Sequence, residues 1–209
     1  MRDLFTTIGT RYLIATLNLA LIFINAKVLG VEGVGLVGLI LAIVGIATMF
    51  CGILAGNTIV YFMNRYSIQA VFLPSYCWTP AGAGIACGCM AVLGLLPDGY
   101  ALDIYILSIL TSLVAANSRF LLGKNQIFGF NLTFVLQGGL LFFVLLLLYY
   151  GLKIQNVRAY LWGMYLTNGI AFLVSLFLLL PFLNKKEADP RKGRSRYALL
   201  QEMFAYGLW

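Results

Sequence analysis

Six apolar runs, each close to the length that carries a helix across a bilayer, occupy almost the whole of this 209-residue chain. Crossing the hydrocarbon core takes about 20 predominantly apolar residues, and such runs cover 12–29, 34–62, 71–96, 101–122, 126–150 and 159–183. A soluble domain is roughly half apolar and a quarter charged. Here 62% of residues are hydrophobic and 10% charged, with a mean hydropathy of +0.94, more apolar surface than a globule of this size can hide from water. The breaks between runs are short, as at 30–33 and 97–99, and such brevity sets each helix antiparallel beside its predecessor. The expected fold is all-α: a polytopic membrane protein whose residues 1–183 form a six-transmembrane-helix up-and-down bundle.

Charge placement orients that bundle. Lys and Arg are retained in cytoplasmic loops. Arg2, Arg11, Arg65, Arg119, Lys124, Lys185, Lys186, Arg191, Lys192, Arg194 and Arg196 fall on the N-terminal side, against Lys27, Lys153 and Arg158 on the other. Both termini are therefore expected in the cytoplasm, and the net charge of +7 reads as an orientation signal rather than a nucleic-acid footprint. Tyr100, Tyr149, Tyr150, Tyr160 and Trp162 cluster near the outer interface, where amphipathic rings settle. Arg2 and Arg11 before an apolar run ending at Ala26 imitate a secretion signal, yet Ile24 is too bulky for its cleavage pattern. Residues 184–196 read as a basic cytoplasmic linker able to touch anionic lipid. Residues 197–209, YALLQEMFAYGLW, open a seventh helix too short to span; a truncated seventh span is expected, with a helix on the interface as the alternative.

The chain has no His and seven acidic residues, none of them in the middle of a span, so acid–base chemistry lacks its usual groups and no enzyme is expected. Cys51, Cys77, Cys87 and Cys89 sit inside apolar runs and cannot complete a four-ligand site; neither metal nor cofactor is expected. With no Walker A or Gly-x-Gly-x-x-Gly pattern there is no nucleotide-driven motor in these residues, and any transport is secondary or downhill.

Polar residues at depth carry the remaining information, because each costs free energy unless it meets a partner or water. Thr7, Arg11, Asn18 and Asn25 share one face of the first span. Gln126, Thr133 and Gln137 mark the fifth span, Asn168 and Ser175 the sixth, and Ser108, Ser112 and Arg119 the fourth. Two readings stay open: hydrogen bonds between helices, worth about 0.6 to 2 kcal/mol each, or the wall of a water-filled cavity for a polar solute. Gly38, Gly45, Gly52 and Gly56 in the second span, and Gly84 and Gly88 in the third after Pro74 and Pro80, are expected to mark close helix packing, with a kink at the prolines.

The stretch 26–62, AKVLGVEGVGLVGLILAIVGIATMFCGILAGNTIVYF, resembles the opening of bacterial polysaccharide and O-antigen flippases (Wzx type). These belong to the multidrug/oligosaccharidyl-lipid/polysaccharide exporter superfamily. The resemblance rests on Lys27, Leu29, Gly30, Glu32, Gly33 and Gly35, and extends to RFLLGKNQIFGFN at 119–131 and to the start of the seventh helix. Lys27 stands where Arg is commoner and Val31 where Pro is common. The resemblance implies two six-helix lobes around a cationic cavity, of which this chain supplies one, completed by a second lobe or a second copy. It implies a lipid-linked oligosaccharide as cargo, in lipopolysaccharide or other surface-polysaccharide biosynthesis, and the bacterial cytoplasmic membrane as the setting. Arg11, Asn18, Asn25, Lys27, Arg119, Gln137 and Asn168 are the candidate cavity residues. A drug or cation exporter of the same superfamily is the nearest rival, and a non-transporting six-span scaffold subunit the rival from another class.

Overall fold

The computed structural model describes residues 2–185 and 196–208, with side chains from Thr7 to Lys185 and from Ala198 to Leu208. All regular structure among them is helical. The first helix, α1, covers Arg2–Ala55 and is broken at Gly30, whose φ of 69° and ψ of −179° lie outside helical space. Only glycine takes that φ without strain. Then follow α2 (Asn57–Met63), α3 (Ile68–Val92), α4 (Ala101–Gly123) and α5 (Ile127–Phe134). A π-turn at Val135–Gly139, α6 (Leu140–Leu146) and a second π-turn at Leu147–Gly151 continue α5 into one rod. The last helices are α7 (Val157–Asn184) and α8 (Arg196–Gly207).

Among the described residues four helical stretches are long and apolar enough to cross a membrane: Thr7–Met63, Ala101–Gly123, Ile127–Gly151 and Val157–Asn184. The last three coincide with the fourth, fifth and sixth expected spans. The first is 57 residues long, about 85 Å if straight, and contains the first two expected spans on either side of Gly30. The region expected as the third span, α3, is not among the four. Gln69, Pro74, Ser75, Thr79, Pro80 and its three glycines dilute its apolar character. It nevertheless runs as one helix through both prolines.

Side-chain contacts fix the direction of each rod. Thr7 bonds Asn131 and Asn25 bonds Tyr149, both 124 residues apart, so the first limb of α1 runs parallel to the 127–151 rod. Gln137 meets Asn168, and Gly163 lies against Leu145, making α7 antiparallel to that rod. Through Thr111–Asn168 and Asn117–Ser175, α7 is parallel to α4; through Tyr76–Asn117 and Tyr105–Pro80, α4 is antiparallel to α3. Finally, Leu54–Ser75 and Cys51–Thr79 set α3 antiparallel to the second limb of α1. Followed round the bundle, these pairings make the two limbs of α1 antiparallel: the chain reverses at Gly30, and successive rods alternate in direction.

Two apolar clusters stack along the bundle. One gathers Leu21, Val37, Ile40, Val44, Ile104, Leu107, Leu145 and Tyr149 near the Gly30 reversal. The other gathers Leu54, Ile59, Phe62, Val71, Phe120, Leu179, Leu199 and Met203 near the opposite end. Leu199 and Met203 belong to α8, which runs back along the end of α1 and along α2. Its Glu202 accepts from the Tyr66 hydroxyl, and Tyr206 stacks on Tyr61 at 4.2 Å. The linker expected at 184–196 lies almost entirely outside the described residues.

The packing glycines require correction. A Cβ at Gly38, Gly45, Gly52 or Gly88 would meet nothing within 4 Å, one at Gly84 only the Tyr105 ring edge at 3.8 Å, and one at Gly56 only the backbone of Gly52 on the same strand of chain. The inward face of that limb is carried instead by Val37, Ile40, Val44, Ala47, Cys51 and Leu54, which bury more apolar surface than glycines can. Close backbone approach occurs at Gly82, whose added Cβ would lie 3.3 Å from the Cys51 backbone, while side chains press on Gly138 (Ile14, 2.7 Å) and on Gly163 (Leu145, 3.0 Å). Overpacking costs about 1 to 3 kcal/mol. Gly82→Val should therefore lower the unfolding midpoint in detergent by several degrees, whereas Gly45→Ala should leave it unchanged or raise it, as followed by thermal scanning on a sizing column.

Candidate functional site

Helix α4 touches α1, α2, α3, α5 and α7, and its polar side chains organise the interior. Starting from its C-terminal end, the Ser118 and Thr133 hydroxyls pair at 2.7 Å. The Asn117 amide donates to the Ser175 hydroxyl at 2.9 Å while its carbonyl accepts from the Tyr76 hydroxyl. Two turns earlier Thr111 donates to the Asn168 carbonyl, which also accepts from the Gln137 amide at 2.8 Å, and the Asn168 amide donates to the Met164 carbonyl at 2.9 Å. Outside this ladder, the Tyr149 hydroxyl donates to the buried Asn25 at 3.0 Å.

Four of the expected cavity stripes thus divide in two. Asn25, Gln137, Asn168, Thr133 and Ser175 find partners on neighbouring helices, the outcome of the packing reading. Asn18 does not: it is exposed on the first limb of α1, and no hydrogen bond to it occurs among the described residues. It sits mid-helix between Thr7 and Asn25, both of which turn onto the 127–151 rod.

The expected cations separate as well. Arg11 and Arg119 lie at one level of the bundle: Arg11 reaches Phe130 and Phe134, and Arg119 follows Ser118, whose hydroxyl pairs with Thr133. The Arg11 guanidinium packs 4.7 Å from the Phe134 ring centre and 5.9 Å from that of Phe130, a geometry that holds a cation by the ring quadrupole. Arg119 is half-buried and donates to the Asn57 side-chain carbonyl at the start of α2. Among the described residues neither guanidinium has a carboxylate partner. The aromatic and amide neighbours fix where these charges point without neutralising them. Lys27 is exposed beside the Gly30 reversal, about 24 Å along the helix from Arg11, and does not join this pair.

Several members were not visible in sequence. Asn57 follows the break at Gly56 and Asn131 lies one turn into α5; both are lone amides in apolar runs, and only the fold brings them to Arg119 and to Thr7. Asn117 and Tyr76 belong to the same class. Among the described residues, no group of three or more His, Cys, Asp or Glu could hold a metal, and Ser112 Oγ is the buried side-chain polar atom left without a partner. No protein family, curated protein or solved structure matches this chain.

The division of polar residues generates a test. Asn168→Leu deprives the half-buried Thr111 and Gln137 of their shared acceptor, at about 1 to 3 kcal/mol, and should cut the yield and thermal midpoint of the folded chain. Asn18→Leu should change neither. Equal losses in the two variants would mean that Asn18 is a packing residue too.

Proposed function

We propose that this chain is the membrane-spanning lobe of a transporter that flips a lipid-linked oligosaccharide, a polyprenyl-pyrophosphate glycan, across the bacterial cytoplasmic membrane for surface-polysaccharide assembly. In this reading its six rods cross the bilayer and both termini lie in the cytoplasm. The observation that carries the proposal is the Arg11–Arg119 pair: two guanidiniums on different helices at one level of the bundle, neither with a carboxylate partner among the described residues. Two cations left without an acid suit an anion that visits them. A pyrophosphate supplies two adjacent charged groups, and guanidinium is the side chain best shaped to bind them in a bidentate way.

The other requirements of the cargo follow the same chemistry. Sugar hydroxyls need amides that no protein group has claimed, as at Asn18. The polyprenyl tail stays in hydrocarbon throughout, because transferring it to water has a prohibitive free-energy cost, so the headgroup must travel along an open flank. Arg11 and Asn18 lie on one exposed flank of α1, and a second lobe or a second copy of the chain would close the cavity over them. The resemblance of 26–62 and 119–131 to polysaccharide flippases supports the same cargo. An exporter of cationic drugs is disfavoured by the two unneutralised guanidiniums, which would repel its substrate.

The test uses cells lacking this gene and expressing the chain or its variants, with polyprenyl-linked oligosaccharide assayed on each leaflet. Arg11→Ala and Arg119→Ala should each reduce outward delivery about ten- to a hundredfold, the loss of one charge-assisted contact worth roughly 1.5 to 3 kcal/mol, at near-normal abundance, and Arg11→Lys should restore part of it. No accumulation of the lipid-linked glycan on deletion would remove this cargo. Abundance falling in step with delivery would return the pair to a structural role.

A further inference from the structure

The 127–151 rod carries a second pattern that the proposed cargo does not use. Gly129, Thr133, Gln137, Leu141, Leu145 and Tyr149 recur at strict four-residue spacing and all face inward. Gly129 lies against Leu121 and Leu178, Thr133 pairs with Ser118, Gln137 with Asn168, Leu141 and Leu145 pack on Gly163, and Tyr149 bonds Asn25. An α-helix holds about 3.6 residues per turn, so a four-residue stripe drifts by about 40° at each step and would leave this face within three steps. The two π-turns cancel the drift. Each absorbs one extra residue, with Leu140 N–H donating to the Val135 carbonyl and Leu152 N–H to that of Leu147, and turns everything beyond it back by about 100°.

Between the two π-turns lies α6, Leu-Leu-Phe-Phe-Val-Leu-Leu. The rod is pinned by side-chain hydrogen bonds on either side of it, at Asn131 and Gln137 before and at Tyr149 after. None of the seven side chains of α6 can hydrogen-bond, and the surface facing Leu141 and Leu145 is the flat backbone of Gly163. If the extra residue of the first π-turn passes into the second, α6 turns by about 100° and every side chain takes the place of the residue after it. Leu140 then replaces Leu141 and Val144 replaces Leu145, one aliphatic side chain for another against a glycine.

We propose that α6 is a rotary segment, turning between two settings on Gly163 as the extra residue of the first π-turn passes into the second, which then holds two, while the pinned ends of the rod stay in place. Such a segment lets the bundle change the face of one helix without breaking a buried side-chain hydrogen bond; only backbone bonds of the two π-turns are exchanged. The proposal does not depend on what the protein carries.

Disulfide trapping in the full chain in membranes tests it. Leu145→Cys with Gly163→Cys reports the setting described above, Val144→Cys with Gly163→Cys the turned one, and Phe143→Cys with Gly163→Cys neither, since Phe143 points outward with 61% of its surface exposed. Under a membrane-permeant thiol oxidant the first two pairs should both cross-link. The Val144 pair should exceed the Phe143 pair about tenfold, because trapping accumulates a minor setting over time. Deleting Gly138 and Leu148, one residue from each π-turn, removes the residues that move; it should abolish the Val144 cross-link and keep that of Leu145. A Val144 yield no higher than that of Phe143, or one unchanged by the double deletion, would overturn the proposal.

Discussion

Hydrocarbon offers no hydrogen bonds, and every polar group taken into it must find a partner in the protein or a reason to be left open. That constraint organises the bundle around α4. Asn117 joins α3 to α7, Thr111 meets Asn168 on α7, Gln137 on the 127–151 rod meets the same carbonyl, and Ser118 closes on Thr133. Because these bonds tie α3, α5 and α7 to particular levels of α4, the ladder sets the register that the apolar clusters on either side then fill. Leucine contacts alone are nearly indifferent to sliding; amide pairs are not.

What the ladder does not consume becomes conspicuous. Among the described residues Asn18 keeps its amide free on the outer flank of α1, and the Arg11 and Arg119 guanidiniums have no carboxylate partner. Their neighbours are an aromatic pair and an amide, groups that position a cation but leave its charge available. The proposed anionic headgroup accounts for that omission, and the open flank accounts for how a lipid tail could accompany it.

Much of the architecture is legible in the sequence because charge and turn residues bound the apolar runs: 101–122, 126–150 and 159–183 differ from the helical stretches by only one or two residues at an end. The reversal at Gly30 is legible for a similar reason, since a glycine in a short polar gap suits a positive φ. Orientation around a helix axis is not. Gly38, Gly45 and Gly52 do share a face, but spacing reports which residues lie together and not which way they look, and the bulkier Val37–Ile40–Val44 face won the interior. The polar stripes had the same ambiguity, resolved only when Asn168 met Gln137 and Asn25 met Tyr149. The π-turns leave a trace in the four-residue spacing from Gly129 to Tyr149, a period that fits neither an α-helix nor a strand.

The central claim is that the open guanidinium pair receives a pyrophosphate on a lipid. Native mass spectrometry of the purified chain in the presence of polyprenyl pyrophosphate and of the corresponding polyprenol measures that directly. The account predicts a complex with the pyrophosphate that is largely lost in the Arg11→Ala/Arg119→Ala double variant, together with weak binding of the polyprenol that the double variant leaves unchanged. Equal retention of both lipids by the intact chain, or pyrophosphate binding indifferent to the two arginines, would contradict it.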